Sequence, residues 1–191
     1  MSIPPKILII PGNGNADINT DCWYSWARDE FQKLGFPVRA ENMPDPEIAH
    51  MDIWLPHIKN ELQADENTII IGHSLGAVAA MRYLEHNKLL GAVLIGACYT
   101  DLGLESEKEA GYYTDPWQWE SIKANTKWLI QFASTDDPYV MIDEARYIHK
   151  QTNSEYYEFT DRGHFGDELK PTREFPELVE AVRKKVYSGM L

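Results

Sequence analysis

The sequence predicts an α/β domain, a mostly parallel sheet of about six strands sandwiched between helices, and three observations predict it. Short unbroken aliphatic runs recur along the chain, as in Ile7-Leu8-Ile9-Ile10, Thr68-Ile69-Ile70-Ile71 and Ala92-Val93-Leu94-Ile95. Such runs are what a strand buried on both faces requires. Between them the apolar residues recur every three or four positions, the spacing of a helix with one face against a core. Strands alternating with helices fold as right-handed βαβ units, and these assemble into a parallel sheet.

Each element follows in chain order. The run ending at Ile10 is stopped by Pro11-Gly12. Trp23, Trp26, Ala27, Phe31 and Leu34 mark one face of a helix that Gly35 ends. Residues 37–40 give a short strand. After Pro44-Asp45-Pro46, the residues Ile53, Leu55, Ile58 and Leu62 give a second helix, with Pro56 expected in its first turn, where a missing N–H breaks no bond. The strand 68–71 leads into a helix over 77–84 rich in alanine and methionine. Strands follow at 92–95, 128–132 and 156–159, with helical spacing at 142–149 and 175–187. Residues 99–125 break this rhythm. The segment is long for a connection and carries Tyr112, Tyr113, Trp117 and Trp119, so it is expected to form a cap-like insertion in a single domain spanning 1–191.

Composition narrows the function classes. The chain has 191 residues, 43% of them hydrophobic, enough to cover a sheet on both faces. Its 18 Lys and Arg against 30 Asp and Glu leave a net charge of −12, which repels phosphate backbones and anionic lipid headgroups. The basic cluster Arg183-Lys184-Lys185 lies on a helix with Glu180. Neither nucleic acid nor membrane is an expected partner. No apolar run is long enough for a spanning helix, and Met1-Ser2-Ile3-Pro4-Pro5-Lys6 leads straight into a strand, so a cytoplasmic protein is expected. Cys22 and Cys98 sit in apolar segments without basic neighbours and read as small buried hydrophobes.

The chemistry concentrates at Gly72-His73-Ser74-Leu75-Gly76, a G-x-S-x-G pattern. Alone the pattern is weak, since a glycine-flanked turn with a capping serine reads the same way. Its setting strengthens it, because it follows a buried strand and opens a helix. A serine on so tight a bend projects its hydroxyl above the sheet, and the helix aims its positive N-terminus at the place where negative charge develops. Ser74 is thus the candidate nucleophile. His73 points away from its neighbour's hydroxyl on such an elbow and reads as a structural imidazole bonded to nearby backbone.

On a fold of this kind an acid and then a histidine follow the serine, each after a later strand. The strand 128–132 runs into Ser134-Thr135-Asp136-Asp137-Pro138, and the last strand runs into Gly163-His164-Phe165. His164 is the candidate base; His149 falls within a helical pattern and is expected to face solvent. Asp136 and Asp137 cannot both meet one imidazole. Pro138 favours extended backbone at Asp137, so Asp137 is the preferred acid and Asp136 is left to bond turn amides or water. The expected oxyanion donors are the amides of Leu75 and of Asn13, in the loop Pro11-Gly12-Asn13-Gly14-Asn15, whose glycines, Gly14 among them, allow close approach to a substrate. Tyr112, Tyr113, Trp117 and Trp119 either line the substrate pocket or simply pack the insertion against the domain.

Taken together, these motifs resemble the small serine hydrolases related to retinoblastoma-binding protein nine. The similarity runs nearly end to end and includes Asn42-Met43-Pro44-Asp45-Pro46, Ile53-Trp54-Leu55-Pro56 and Pro116-Trp117-Gln118-Trp119 besides the elbow, the Asp136-Asp137-Pro138 stretch and Gly163-His164-Phe165. The resemblance implies an α/β-hydrolase fold with about six parallel strands and a Ser-Asp-His triad whose acid is the aspartate directly before proline, here Asp137. The family also carries a Leu-x-Cys-x-Glu motif read as a ligand for the retinoblastoma pocket. Here that stretch is Leu62-Gln63-Ala64-Asp65-Glu66, and without the cysteine a retinoblastoma-type pocket protein is not an expected partner.

The expected activity is hydrolysis of a small-molecule carboxylic ester or amide through an acyl-enzyme. No metal or organic cofactor is required, and no zinc-type spacing such as H-E-x-x-H is present. A protein-binding module on a hydrolase scaffold is the alternative, and non-hydrolytic chemistry on the same side chains is a third reading.

Overall fold

The aliphatic runs set the architecture. The computed structural model describes residues 4–14, 16–166 and 170–188, so Met1 to the third residue, and Asn15 of the candidate oxyanion loop, lie outside the described residues. Six strands are described: β1 (Lys6–Ile10), β2 (Val38–Ala40), β3 (Thr68–His73), β4 (Gly91–Ile95), β5 (Leu129–Ser134) and β6 (Glu155–Phe159). They form one sheet in the order β2-β1-β3-β4-β5-β6. Every pairing is parallel.

The period of two along each strand divides the core. Ile7, Ile9, Ile69, Ile71, Val93 and Ile95 face one cluster, where they meet α1 (Tyr24–Lys33) and α7 (Pro176–Ser188). Leu8, Ile10, Ile70, Ala92 and Leu94 face the other, which is covered by α2 (Met51–Asn60), α3 (Leu75–Leu84) and α6 (Ile142–Thr152). These strand residues are almost wholly shielded from water, and each buried Ile or Leu contributes about 2 kcal/mol of hydrophobic stabilisation. This is the helix–sheet–helix sandwich expected from the sequence.

Three local details differ from the sequence reading. Pro56 is the sixth residue of α2, inside the helix instead of in its first turn, because the helix begins at Met51, ahead of the apolar periodicity. The 99–125 segment contains two short helices that apolar spacing does not announce, α4 (Glu105–Ala110) and α5 (Trp119–Ala124). The first has the sequence ESEKEA, with a single apolar type and no stripe. His149 is half-buried, its ring stacked on Tyr156 with centroids 4.8 Å apart and its Nδ1 3.2 Å from Ser154 Oγ.

The strand order places the site. From β1 the chain steps outward to β2 and then returns to the other flank of β1 as β3, so the order reverses between β1 and β3. At such a switch point the loops leaving the two strands diverge and open a crevice at the carboxyl edge of the sheet. Ile10 pairs with Gly72, which sets Gly12 and Asn13 beside His73 and Ser74.

Candidate active site

Ser74 occupies the N-cap of α3 with φ 54° and ψ −125°. A non-glycine residue in that conformation stores about 1–3 kcal/mol and persists only where its surroundings over-determine it. They do so here. The Ser74 amide donates to Ile95 O at 2.8 Å, and Ser74 O accepts from Ala77 N at 2.9 Å. A side chain on Gly72 would collide with the Gly76 carbonyl, and one on Gly76 with the carbonyls of Ile10 and Pro11. Only glycines let β1, β3 and α3 approach this closely.

Asp137 and His164 meet across the ends of β5 and β6. Asp137 Oδ2 lies 2.7 Å from His164 Nδ1, with side-chain exposures of 4% and 10%. Asp137 Oδ1 accepts from the amides of Tyr139 and Val140 at 2.9 and 3.0 Å, so the whole carboxylate is immobilised. An ionised carboxylate only accepts, which places the imidazole proton on Nδ1 and leaves Nε2 as a proton acceptor.

Asp136 turns the other way. Its Oδ1 accepts from Ser134 Oγ at 2.6 Å and from Gly163 N at 2.9 Å, and its Oδ2 pairs with Lys170. Lys170 first, then the Ser134 hydroxyl, hold the carboxyl down to about 2. Ser134 Oγ also accepts from Arg162 N at 3.1 Å. The two neighbouring aspartates thus divide their contacts: one meets the imidazole, the other pins the loop that carries it.

Ser74 and His164 both line a cavity of about 600 Å³, together with Leu75, Asn13 and Gly14. Leu75 opens α3, so its amide is among the first-turn donors that have no intrahelical acceptor. Asn13 Nδ2 donates to Glu107 Oε1 at 3.1 Å, tying the loop after β1 to α4. Glu107 also takes a bond from Tyr113 Oη at 3.1 Å.

The amino-acid pattern along residues 7–180 matches the family model described as serine hydrolase. The chain belongs to the serine hydrolase family. This serine hydrolase is 47% identical to the serine hydrolase RBBP9 of Rattus norvegicus over 96% of both chains. The crystal structure of the ydeN gene product from B. subtilis superposes with a TM-score of 0.85 at 24% identity, covering 96% of this chain and 99% of that one. Est1E from Butyrivibrio proteoclasticus, solved with ferulic acid bound, superposes at 0.74 with 14% identity over 96% and 88% of the two chains. The last two likenesses show the α/β-hydrolase fold.

Of the two readings open for the four aromatic residues of the insertion, pocket lining or packing, their positions in the serine hydrolase fit packing. Tyr112, Tyr113, Trp117 and Trp119 are not among the residues lining the cavity beside Ser74. Tyr112 is fully buried in the core, and Trp117 and Trp119 stack on each other with centroids 5.3 Å apart. Their large apolar surfaces pack the insertion down. Its contribution to the cavity wall comes instead from Leu102, Leu104 and Glu107.

Sequence reasoning missed Gly96. At φ +59°, directly after β4, it faces the imidazole of His164: an added Cβ would lie 2.9 Å from Cε1 and 3.1 Å from Nδ1. A glycine closing a buried strand was the available signal. Tyr139 was missed as well; its ring meets that of His164 edge-on at 5.2 Å.

Among the described residues no group of His, Cys, Asp and Glu is arranged to hold a metal ion, and no helix is long and apolar enough to cross a membrane. Burial pushes the Cys98 thiol up to about 12, so it stays protonated. Leu62 is a core residue, and Tyr83 Oη donates to Ala64 O at 2.9 Å, which folds the 62–66 stretch against α3.

Proposed function

We propose that this serine hydrolase cleaves small carboxylic esters or amides through an acyl-enzyme, with Ser74 as nucleophile, His164 as general base and Asp137 as the orienting acid. The observation that carries the reading is the 2.7 Å contact between Asp137 Oδ2 and His164 Nδ1, in a cavity wall that also contains Ser74. His164 Nε2 accepts the Ser74 proton as Oγ bonds to the substrate carbonyl carbon. The carbonyl π electrons move onto oxygen, and the amides of Leu75 and Asn13 stabilise that charge, each by about 3 kcal/mol. His164 then returns the proton to the leaving alcohol or amine as its bond to carbon breaks. Water repeats the sequence in reverse and frees the acid.

Residues 99–125 serve as a cap over the site in this reading, supported by the place of Leu102 and Leu104 in the cavity wall. A retinoblastoma-type partner is not part of it, because the leucine of the 62–66 stretch is committed to the core and Ala64 stands where the motif has cysteine. A cytoplasmic setting belongs to the same proposal, supported by a chain with only two cysteines, Cys22 and Cys98, too few for a disulfide scaffold of this length.

The test is covalent labelling with a fluorophosphonate, followed by mass spectrometry, on wild type and Ser74→Ala. Labelling of wild type on Ser74, with none in the variant, is the expected result. A folded wild type that stays unlabelled and turns over no activated ester points instead to a binding module on this scaffold.

A further inference from the structure

His73, the residue before the candidate nucleophile, is buried, and both its ring nitrogens are engaged by groups on other elements. Nε2 lies 2.7 Å from the carbonyl oxygen of His164, and Nδ1 lies 2.6 Å from the Tyr24 hydroxyl. The Tyr24 oxygen is in turn 3.4 Å from the Gly12 amide. A carbonyl only accepts, so Nε2 carries the ring proton. In the neutral ring Nδ1 then accepts from Tyr24 O–H, and the phenol oxygen accepts from Gly12 N–H. These bonds run in a single sense from the loop after β1, through α1 and the end of β3, to the loop after β6.

The loop at the far end needs such a hold. His164 stands between Gly163 at φ +52° and Phe165 at φ +58°, and the second of these is a conformation that a bulky L side chain disfavours. Three contacts fix it from outside. Phe165 is buried and stacks on Phe175 at 5.4 Å, the Gly163 amide is held by Asp136, and the His164 carbonyl is held by His73. The last differs from the others in kind. His73 and Ser74 share a peptide bond, so this contact ties the backbone of the candidate base directly to that of the nucleophile.

We propose that His73 is a positioning residue, whose Nε2–H fixes the His164 backbone relative to Ser74, and that Tyr24 selects the tautomer able to do so. The kinetic consequence rests on the hydrolase reading above; the wiring itself does not. An error of about 1 Å between nucleophile and base is enough to cost about 10²-fold in rate.

The test compares His73→Leu, His73→Gln and Tyr24→Phe. The Gln amide retains a donor near the place of Nε2, and Leu does not. In His73→Leu, kcat and the fluorophosphonate labelling rate are expected to fall about 10²-fold with KM within about twofold. His73→Gln should recover most of that loss, and Tyr24→Phe, which keeps the ring packing, should lose about tenfold. A loss seen in KM instead of kcat, or a Gln variant no better than Leu, overturns the proposal. A second arm needs no turnover: in ¹⁵N-labelled protein His73 should be the Nε2–H tautomer, and Tyr24→Phe should shift the His164 ring resonances. If wild type proves unreactive, the hydrolase reading falls and this arm still decides the wiring. Unmoved His164 resonances in both Tyr24→Phe and His73→Leu reject it.

Discussion

The guanidinium carbon of Arg82 lies 3.7 Å from the ring centre of Trp117, so a cation on α3 is stacked against an indole of the 99–125 insertion. Arg82 also donates to the carbonyls of Tyr112 and Asp115, each at 2.7 Å, and pairs with Glu85 at 2.8 Å. Glu85 accepts from Gln118 N at 2.9 Å. Both side chains of the pair are only 4% exposed. The insertion is thus pinned at four successive places to α3, the helix whose first residue follows Ser74, and to its C-cap residue Glu85.

Breaking that pair leaves a buried charge without its partner. Arg82→Met should destabilise the fold by about 3–5 kcal/mol, read from urea unfolding. The double change Arg82→Met with Glu85→Leu should cost less than the single one, because no charge is then stranded. A single variant within about 1 kcal/mol of wild type would show that the pair does not hold the insertion.

Strain at the elbow predicts a variant that is more stable and inert. Glycine adopts the backbone angles of Ser74 freely, so Ser74→Gly should raise stability by about 1 kcal/mol, the relief of strain exceeding the extra entropy of the unfolded chain. Differential scanning calorimetry gives the sign, and lower stability than wild type would refute the strain argument.

Gly96→Ala tests the space reserved for the imidazole. Its methyl would press on His164 Cε1, and alanine at φ +59° adds strain of about 1–2 kcal/mol. Turnover is expected to fall about 10²-fold while the protein remains folded. Wild-type turnover in this variant would mean that the ring has room the geometry does not suggest.

The two aspartates should behave differently. Asp137→Asn removes the acceptor that fixes the imidazole tautomer and should lower kcat by about 10⁴-fold, whereas Asp136→Asn should act mainly on stability. The Asp136 carboxyl is held down to about 2 against an ordinary 3.8. Its contribution is therefore fully present above 3.8 and is lost as pH falls through 2. The difference in Tm between wild type and Asp136→Asn should shrink across that window. A difference that grows on acidification would contradict the sign.

The sheet and the elbow were legible because their signals are local: four aliphatic residues in a row make a buried strand wherever they stand, and glycines two residues either side of a serine announce a crowded turn. What was not legible depends on which distant groups meet. Nothing near Gly96 in sequence reveals an imidazole opposite it, and nothing near Tyr24 reveals the ring of His73. The aromatic residues of the insertion stayed ambiguous for a related reason, since their composition suits a ligand pocket and ordinary packing equally. What decides is Arg82, which draws Trp117 inward from a helix about thirty residues away.

The reversal of strand order between β1 and β3 also bears on how the molecule comes into being. β1 is made before the other five described strands yet ends as an interior strand, and one of its edges stays open until about sixty further residues have been made and β3 can dock, Lys6 beside Thr68. The crevice beside Ser74 is therefore absent from any shorter nascent chain. Until that moment an aliphatic strand with an unsatisfied backbone edge is the part of this protein most in need of protection from its neighbours.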